Sequence, residues 1–146
     1  MNGEYNFVTD PEAAHKVFKK FKNIHLVPWE CCPEFEIPKD KYDLMCDPSF
    51  PKTDFVGKSH HHQVKRKGYM YICDGFTSLI AIDPTLCEYT ADLQGKVFID
   101  GEAAGQISYY WPGYTNKYDP TKVNCRVYRN FKIEETMDLV IDCLRK

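Results

Sequence analysis

The chain has 146 residues and a formal net charge of −2, and 43% of its residues are hydrophobic and 14% aromatic. This length suits one domain with its own core, and the aromatic content argues against disorder. The small net charge gives no general attraction to nucleic acid or anionic lipid, so we expect neither kind of partner. No apolar run could span a bilayer and no signal-peptide pattern is visible, which predicts a cytoplasmic protein. Its seven irregularly spaced cysteines are predicted to be mostly reduced thiols.

The N-terminal part of the chain predicts a strand, a helix and a second strand. Residues 4–9 are predicted to be extended, and Asp10, Pro11 and Glu12 then supply a helix cap, a proline for the first turn and an acid for the positive helix end. Residues 24–29 are predicted to be the second strand. The helix between them carries an apolar stripe: Ala13, Ala14, Val17, Phe18 and Phe21. This order of elements predicts a parallel βαβ unit.

Residues 30–67 lack a sustained hydrophobic period, and we predict an irregular loop at about 30–67. Four prolines interrupt this stretch: Pro33, Pro38, Pro48 and Pro51. Three consecutive histidines near its end, His60, His61 and His62, suggest a metal-binding loop that uses them with the cysteines. Adjacent residues of one extended stretch do not converge easily on one ion, so a solvated loop is the favoured interpretation.

Residues 68–84 form the central predicted unit, a short buried strand over 69–72 followed by a helix. Cys73 and Asp74 stand at the junction, where the end of a strand and the start of a helix favour ligand binding in open α/β sheets. An aspartate at this place is also a common helix cap. The thiol of Cys73 could be a nucleophile, but the neighbouring Asp74 opposes its ionisation.

The rest of the chain predicts four strands and a terminal helix. The strands are predicted over residues 86–93 and 96–101, around a turn at Gln94 and Gly95, and over 105–111 and 123–131. Residues 133–144 have the apolar spacing of an amphipathic helix. Without repeats or a linker, residues 1–146 are predicted to form a single domain.

Two separated stretches resemble the inosine–uridine nucleoside hydrolase family, also called nucleoside N-ribohydrolases. The first stretch is Glu4-Tyr5-Asn6-Phe7, which leads into Asp10-Pro11-Glu12-Ala13-Ala14 and then to Val27-Pro28. The second is Cys73-Asp74, followed by an apolar helix into Ile82-Asp83-Pro84. Gly105 and Asn124 also match the family's later pattern. The resemblance runs from Glu4 almost to the end, apart from the middle, and corresponds to the family's C-terminal half.

This resemblance implies an α/β fold, the C-terminal part of an open, mostly parallel sheet flanked by helices. It also implies cleavage of the N-glycosidic bond of ribonucleosides to ribose and free base, assisted by calcium, in nucleoside catabolism. Asp74 matches an aspartate that binds calcium and ribose, and Glu4 and Asn6 match side chains that bind the ribose hydroxyls. Cys73 stands where many members have a histidine that protonates the leaving base.

The family's N-terminal aspartate cluster, which supplies most calcium ligands and the general base, has no counterpart in this chain. One aspartate does not provide the six to eight oxygens that calcium takes. Two hypotheses follow from this difference. Either the chain is a nucleosidase whose remaining ligands come from a missing N-terminal half or another polypeptide, or it is an inactive, truncated member that acts as a binding module. Homo-oligomers are possible in both cases.

Overall fold

The computed structural model describes residues 3–33 and 36–146, and these contain both helices and strands. The helices are α1 (Tyr5–Thr9), α2 (Pro11–Lys20), α3 (Lys39–Met45), α4 (Pro51–Lys67), α5 (Cys73–Ile82) and α6 (Ile133–Arg145). The strands are β1 (Ile24–Leu26), β2 (Cys87–Val97), β3 (Ile107–Tyr110) and β4 (Cys125–Phe131). Short 3-10 turns cover Trp29–Cys31, Pro84–Leu86, Gly101–Ala103 and Pro120–Lys122. No helix in the described ranges is both long and apolar enough to cross a bilayer.

The chain divides into two compact units, each built from two chain segments. The first unit combines Met1–Val27 with Thr90–Tyr128, and the second combines Pro28–Tyr89 with Arg129–Lys146. Strands β2 and β4 therefore begin in one unit and end in the other. The prediction that residues 1–146 form one domain stays a prediction.

The four strands form one sheet in the order β1-β4-β2-β3. Strands β1 and β4 are parallel, with Ile24 opposite Cys125, whereas β2 and β3 are antiparallel, with Val97 opposite Ile107. At the pair of β4 with β2, the amide of Asn124 donates to the carbonyl of Leu93 (3.1 Å), and the amide of Lys132 donates to that of Leu86 (2.9 Å). The numbering of the two strands therefore runs in opposite directions, which makes this pair antiparallel.

The predicted α/β class is confirmed, but the predicted mostly parallel sheet is wrong, because only one of the three strand pairs among the described residues is parallel. The connection from β2 to β3 covers residues 98–106 and contains one short 3-10 turn. Parallel neighbours need a crossover of a dozen or more residues, usually a helix. This connection is too short for such a crossover, so the second strand returns antiparallel to the first.

The core of the first unit lies where α2 packs on the sheet. Phe18 of α2 contacts a buried cluster on β2 and β4: Leu93, Val97, Cys125 and Val127. Phe7 of α1 meets the Phe18 ring edge-on at 6.0 Å between centroids. The apolar stripe predicted for α2 therefore faces the core at Phe18, although Val17 and Phe21 remain exposed.

The second unit is built mainly from helices. Its buried apolar side chains include Met45 of α3, Phe76, Leu79 and Ile80 of α5, and Met137 and Ile141 of α6. The rings of Phe76 and Phe131 stack at a tilt, 4.7 Å apart. Lys41 of α3 pairs with Asp138 (2.5 Å) and Glu134 (3.0 Å) of α6. The predicted apolar face of α6 is confirmed by this burial, and that of α5 is confirmed at Phe76, Leu79 and Ile80 but not at Ile82, which is 67% exposed.

The prediction of an extended segment over residues 4–9 is wrong, because residues 5–9 form α1. The Glu4 side chain caps this helix by accepting the amides of Asn6 and Phe7. A single turn has no apolar period to detect, and a glutamate is not among the preferred caps. The predicted βαβ unit loses its first strand as a result. Helix α2 is confirmed, whereas the second strand is shorter than predicted, because β1 ends at Leu26 and Trp29 begins a 3-10 turn.

The prediction of an irregular loop at about 30–67 is also wrong, because α3 and α4 lie within it. Helix α4 starts with Pro51 in its first turn and ends at Gly68, whose φ of 78° is a left-handed helix cap. Only Thr53 is buried along this helix. A helix that buries so few side chains shows no amphipathic period, which explains why the pattern did not predict it.

Two predicted strand boundaries near the middle of the chain are wrong as well. Residues 69–72 belong to no strand in the described part of the chain, and α5 already begins at Cys73, at the predicted junction. Residues 87–97 form one continuous strand instead of two strands around a turn at Gln94 and Gly95. A Cβ at Gly95 would lie 2.9 Å from Cε1 of Phe18, so this glycine permits a close approach of α2 and makes no turn.

Candidate functional site

Glu4 and Asn6 are brought together at the start of α1 in the first unit. Oε2 of Glu4 accepts the backbone amides of Asn6 (2.9 Å) and Phe7 (3.4 Å), and its Oε1 accepts from Nδ2 of Asn6 (3.2 Å). Asn6 is exposed and Glu4 half-buried. Both side chains can therefore reach a ligand, but the Glu4 carboxylate already has a structural role as a helix cap.

Gly105 stands behind this short helix, at a close approach of two backbones. Its φ is 83°, and a Cβ there would lie 2.7 Å from Cγ2 of Val8 and 2.9 Å from the backbone nitrogen of Val8. Only glycine combines this left-handed conformation with so little space. Gly105 therefore positions α1, the helix that carries Asn6 and is capped by Glu4.

Cys73 and Asp74 lie in the first turn of α5 in the second unit, as the sequence predicted. The Asp74 side chain is exposed, and in the described ranges no hydrogen bond or ion pair engages its carboxylate. Asp74 does not cap α5, because the cap position is Ile72. The carboxylate is consequently available to a ligand in a way that the carboxylate of Glu4 is not.

The half-buried thiol of Cys73 has a partner that sequence reasoning missed. Burial raises the pKa of Cys32, and a hydrogen bond between Cys32 and Cys73 raises it further. The charges of Cys31 and Asp74 act in the same direction. Cys32 is therefore a neutral thiol held against Cys73, and both are free of disulfides. Its adjacency to Cys31 in the sequence gave no signal of this contact.

Aromatic side chains surround the start of α5. The rings of Tyr69 and Tyr71 lie 4.7 Å apart, and the Trp29 ring meets Tyr71 edge-on at 6.4 Å. A hydrogen bond with Tyr69 raises the pKa of Tyr71, and burial and the charge of Cys73 add to this effect. Trp29 is half exposed. The alternating aromatics of residues 69–72 thus form a cluster of rings near Cys73 instead of a strand.

The described residues do not by themselves form a calcium site. No group of three His, Cys, Asp or Glu side chains in the described ranges could hold a metal ion. The side chains next to Asp74 are the thiols of Cys73 and Cys32, and sulfur is a poor ligand for calcium, which prefers oxygen. Asp74 therefore offers one suitable carboxylate.

The three histidines proposed as a metal loop are in α4. Successive helical residues point in directions about 100° apart, so the three rings do not converge. Nδ1 of His60 lies 3.1 Å from the carbonyl oxygen of Val56, and the rings of His61 and His62 lie 5.7 Å apart. His60 thus turns back along its own helix.

The comparisons with known proteins agree with this architecture. The sequence model described as inosine-uridine preferring nucleoside hydrolase matches residues 2–138. An inosine-guanosine nucleoside hydrolase is 22% identical, with a TM-score of 0.82 over 97% of this chain and 46% of its own. A purine-preferring ribonucleoside hydrolase from Gardnerella vaginalis is 18% identical, with a TM-score of 0.75 over 98% of this chain and 46% of its own. A plant nucleoside hydrolase is 19% identical, with a TM-score of 0.77 over 97% of this chain and 47% of its own.

No curated protein matches the chain significantly. The chain spans less than half the length of these solved structures. That share is consistent with the prediction that the chain corresponds to one half of the family's fold. At these identities, the structural similarity shows a shared fold alone. The family match covers Glu4, Asn6, Cys73 and Asp74 together and nearly the whole chain. The chain belongs to the inosine-uridine preferring nucleoside hydrolase family.

Proposed function

We propose that the chain contributes ribose and leaving-group contacts to the hydrolysis of ribonucleosides. In this reaction, water attacks the anomeric carbon, the bond from that carbon to the base nitrogen breaks, and the base takes up a proton. The observation that carries the proposal is the exposed, unengaged carboxylate of Asp74 beside the Cys73 thiol. Family membership adds support, because the match includes both residues.

Glu4 and Asn6 are proposed to bind the ribose hydroxyls. An ionised carboxylate offers about four acceptor positions, and Glu4 uses three of them within the first unit. One position on Oε1 therefore remains for a hydroxyl group. Capping α1 and binding a sugar are compatible roles for this side chain.

Cys73 is proposed to give its proton to the departing base. Its partner Cys32 stays protonated, because burial and the shared hydrogen bond raise the pKa of Cys32. No second thiolate then stands beside Cys73 to repel an electron-rich leaving group. The half-exposed ring of Trp29 at the same place provides a surface on which a planar base can stack.

Calcium dependence remains a proposal based on the family resemblance. Asp74 would supply one oxygen, and the other ligands would have to come from outside the described residues. A cytoplasmic location and a role in nucleoside catabolism are likewise proposals.

The test is ribose release from inosine and from uridine, with calcium and with a chelator, by the purified chain together with a polypeptide that carries the family's N-terminal aspartate cluster and so supplies the remaining calcium ligands. We expect calcium-dependent release, which falls about 100-fold or more in Asp74→Ala, the size typical of losing one group that stabilises a transition state. Asp40→Ala is the matched control, because Asp40 is also an exposed aspartate in the first turn of a helix. The control corrects for the loss of a favourable helix-dipole charge.

Absence of ribose release from the folded chain in the presence of the polypeptide with the aspartate cluster would contradict the proposal and favour the alternative, a binding module without catalysis. Large exposed apolar side chains support that alternative, since Tyr5 and Phe55 are each 71% exposed. If Asp74→Ala and Asp40→Ala reduce ribose release equally, Asp74 is not part of the site.

A further inference from the structure

A groove of about 530 Å³ lies in the first unit, away from every residue assigned above to nucleoside binding. Its walls come from three places: the end of α2, the end of β2 and residues 121–124 before β4. The volume falls within the range of small-molecule sites. Glu4, Asn6, Cys73 and Asp74 do not line it.

The groove is basic although the protein as a whole is slightly acidic. Lys19, Lys22, Lys96 and Lys122 line it, and none of the described lining residues is an aspartate or glutamate. Lys122 pairs with Asp119 at 3.0 Å. The other three lysines are exposed and form no ion pair within residues 3–33 and 36–146. Three ammonium groups are therefore free to meet an anion.

The helix dipole explains only part of this charge. Lysines near the last turn of α2 stabilise the negative end of that helix, and Lys19 and Lys22 fit this role. Lys96 has no such role, because it lies on β2 and reaches the groove from a different wall. Charges of one sign from separate elements repel one another unless an anion lies between them.

The walls of the groove are tied together by one side chain. Nδ2 of Asn124 donates to the carbonyl oxygens of Phe18 (2.8 Å) and Gly95 (3.0 Å), and the amide of Gly95 donates to Oδ1 of Asn124 (2.7 Å). Nδ1 of His15 also lies 3.0 Å from the carbonyl oxygen of Val97. These bonds join α2, β2 and the segment before β4, so the groove is preformed and a ligand need not order it.

The groove also has an apolar surface. Phe18 and Val97 are buried beneath it, and Phe21 presents a ring that is 57% exposed. An exposed ring beside cations suits a ligand that joins an anionic group to a planar one. The size and the mixture of charge and apolar surface favour a small ligand over an acidic polypeptide.

From these observations we infer that the groove binds a small phosphate monoester that carries an aromatic ring, such as a nucleoside monophosphate. Lys96 and Lys22 hold the phosphate group from two walls, and the ring of the ligand lies on Phe21. This site does not depend on the proposed nucleoside hydrolysis. Neither a positive nor a negative result in the ribose-release assay affects this inference about the groove.

The experiment is titration of the purified chain with adenosine 5′-monophosphate, followed by NMR shifts of the backbone amides of Gly95 and Lys96. We expect saturable shifts, and a Kd about tenfold or more higher in the double variant Lys22→Gln, Lys96→Gln, as for loss of two charge-assisted contacts. The matched control, Lys16→Gln with Lys20→Gln, removes the same charge from exposed residues of α2 that do not line the groove. Its Kd should change less than about threefold.

Titrations with adenosine and with ribose 5-phosphate distinguish the contribution of the phosphate group to binding from that of the aromatic ring. Adenosine should leave the groove amides unshifted, because the phosphate is missing, and ribose 5-phosphate should bind more weakly, because the ring is missing. The inference is overturned if adenosine 5′-monophosphate shifts no groove amide, or if both double variants lose affinity equally. It is also overturned if polyglutamate shifts these amides and the nucleotide does not, which would assign the groove to an acidic peptide.

Discussion

The residues that match the family pattern have different roles in the two compact units. In the first unit, Glu4 caps α1, Asn6 donates to Glu4, and Gly105 allows two backbones to approach. In the second unit, the Asp74 carboxylate is exposed and performs no comparable task. Residues that hold the fold together would be present in any folded member, whatever its activity. Asp74 therefore carries more weight as an indication of function than Glu4 does.

The same contrast holds for Asn124, which the resemblance also singled out. Its side chain makes three hydrogen bonds that join Phe18, Gly95 and the start of β4. Those contacts account for this asparagine in structural terms. Asn124 thus helps to build the first unit, whereas contacts within the described residues give the Asp74 carboxylate no such role.

The largest expected effect tests whether Gly105 is structural. Gly105→Ala should lower the free energy of unfolding by about 3 kcal/mol or more, because strain at positive φ adds to a clash with the backbone of Val8. Urea denaturation measures this loss. The control is Gly113→Ala, since Gly113 has a φ of 78° but nothing within 4 Å of the added Cβ. That change should cost about 1 kcal/mol, from strain alone. Equal losses at the two sites would refute the close-approach argument.

The next prediction compares how much stability is lost when the carboxylate of Glu4 or that of Asp74 is removed. Glu4→Ala should lower the free energy of unfolding by about 1 kcal/mol, the usual size of a lost helix cap. Asp74→Ala should change it by less than about 0.5 kcal/mol, because only a helix-dipole interaction is removed. Denaturation of both variants in urea gives the two values. Asp10→Ala serves as a second cap variant, since Asp10 accepts the amide of Ala13 at 2.9 Å. A large loss of unfolding free energy in Asp74→Ala would show that this carboxylate is also structural and would contradict the difference between the two units.

The smallest effect concerns an exposed ion pair of the first unit. The Arg126 guanidinium donates to both oxygens of Asp92 (2.6 and 2.8 Å), which lowers the pKa of Asp92. A lowered pKa in the folded state gives stability that is complete above the unfolded value of about 3.9 and is lost as the pH falls through the folded value. Asp92→Asn should therefore be less stable than the wild type at neutral pH by a small, salt-sensitive amount.

The check is the difference between wild type and Asp92→Asn in urea denaturation from neutral pH down to about pH 2. The difference should shrink as the pH falls, because the wild-type carboxylate becomes neutral. A difference that stays constant over this range would show that the pair acts through packing and not through charge.

Sequence patterns predicted the elements that have a strong local signal. Helix α2 begins with the predicted cap and proline, α6 shows its apolar face, and β3 and β4 follow alternating or aromatic runs. They failed at α4, which buries a single threonine, and at α1, which is one turn held by an unusual cap. A helix without an apolar stripe gives no period, and a single turn is too short to show one.

The sequence by itself determined the α/β class, the family and the place of Cys73 and Asp74 at the start of α5, because motif spacing and helix signals are local. Only the tertiary structure decided that the Cys32 thiol forms a hydrogen bond with Cys73. It also decided that Gly95 lies against the Phe18 ring and not in a turn, and that Lys96 and Lys22 line the same groove. These contacts join residues far apart in the chain. Their formation depends on packing, which no local pattern encodes.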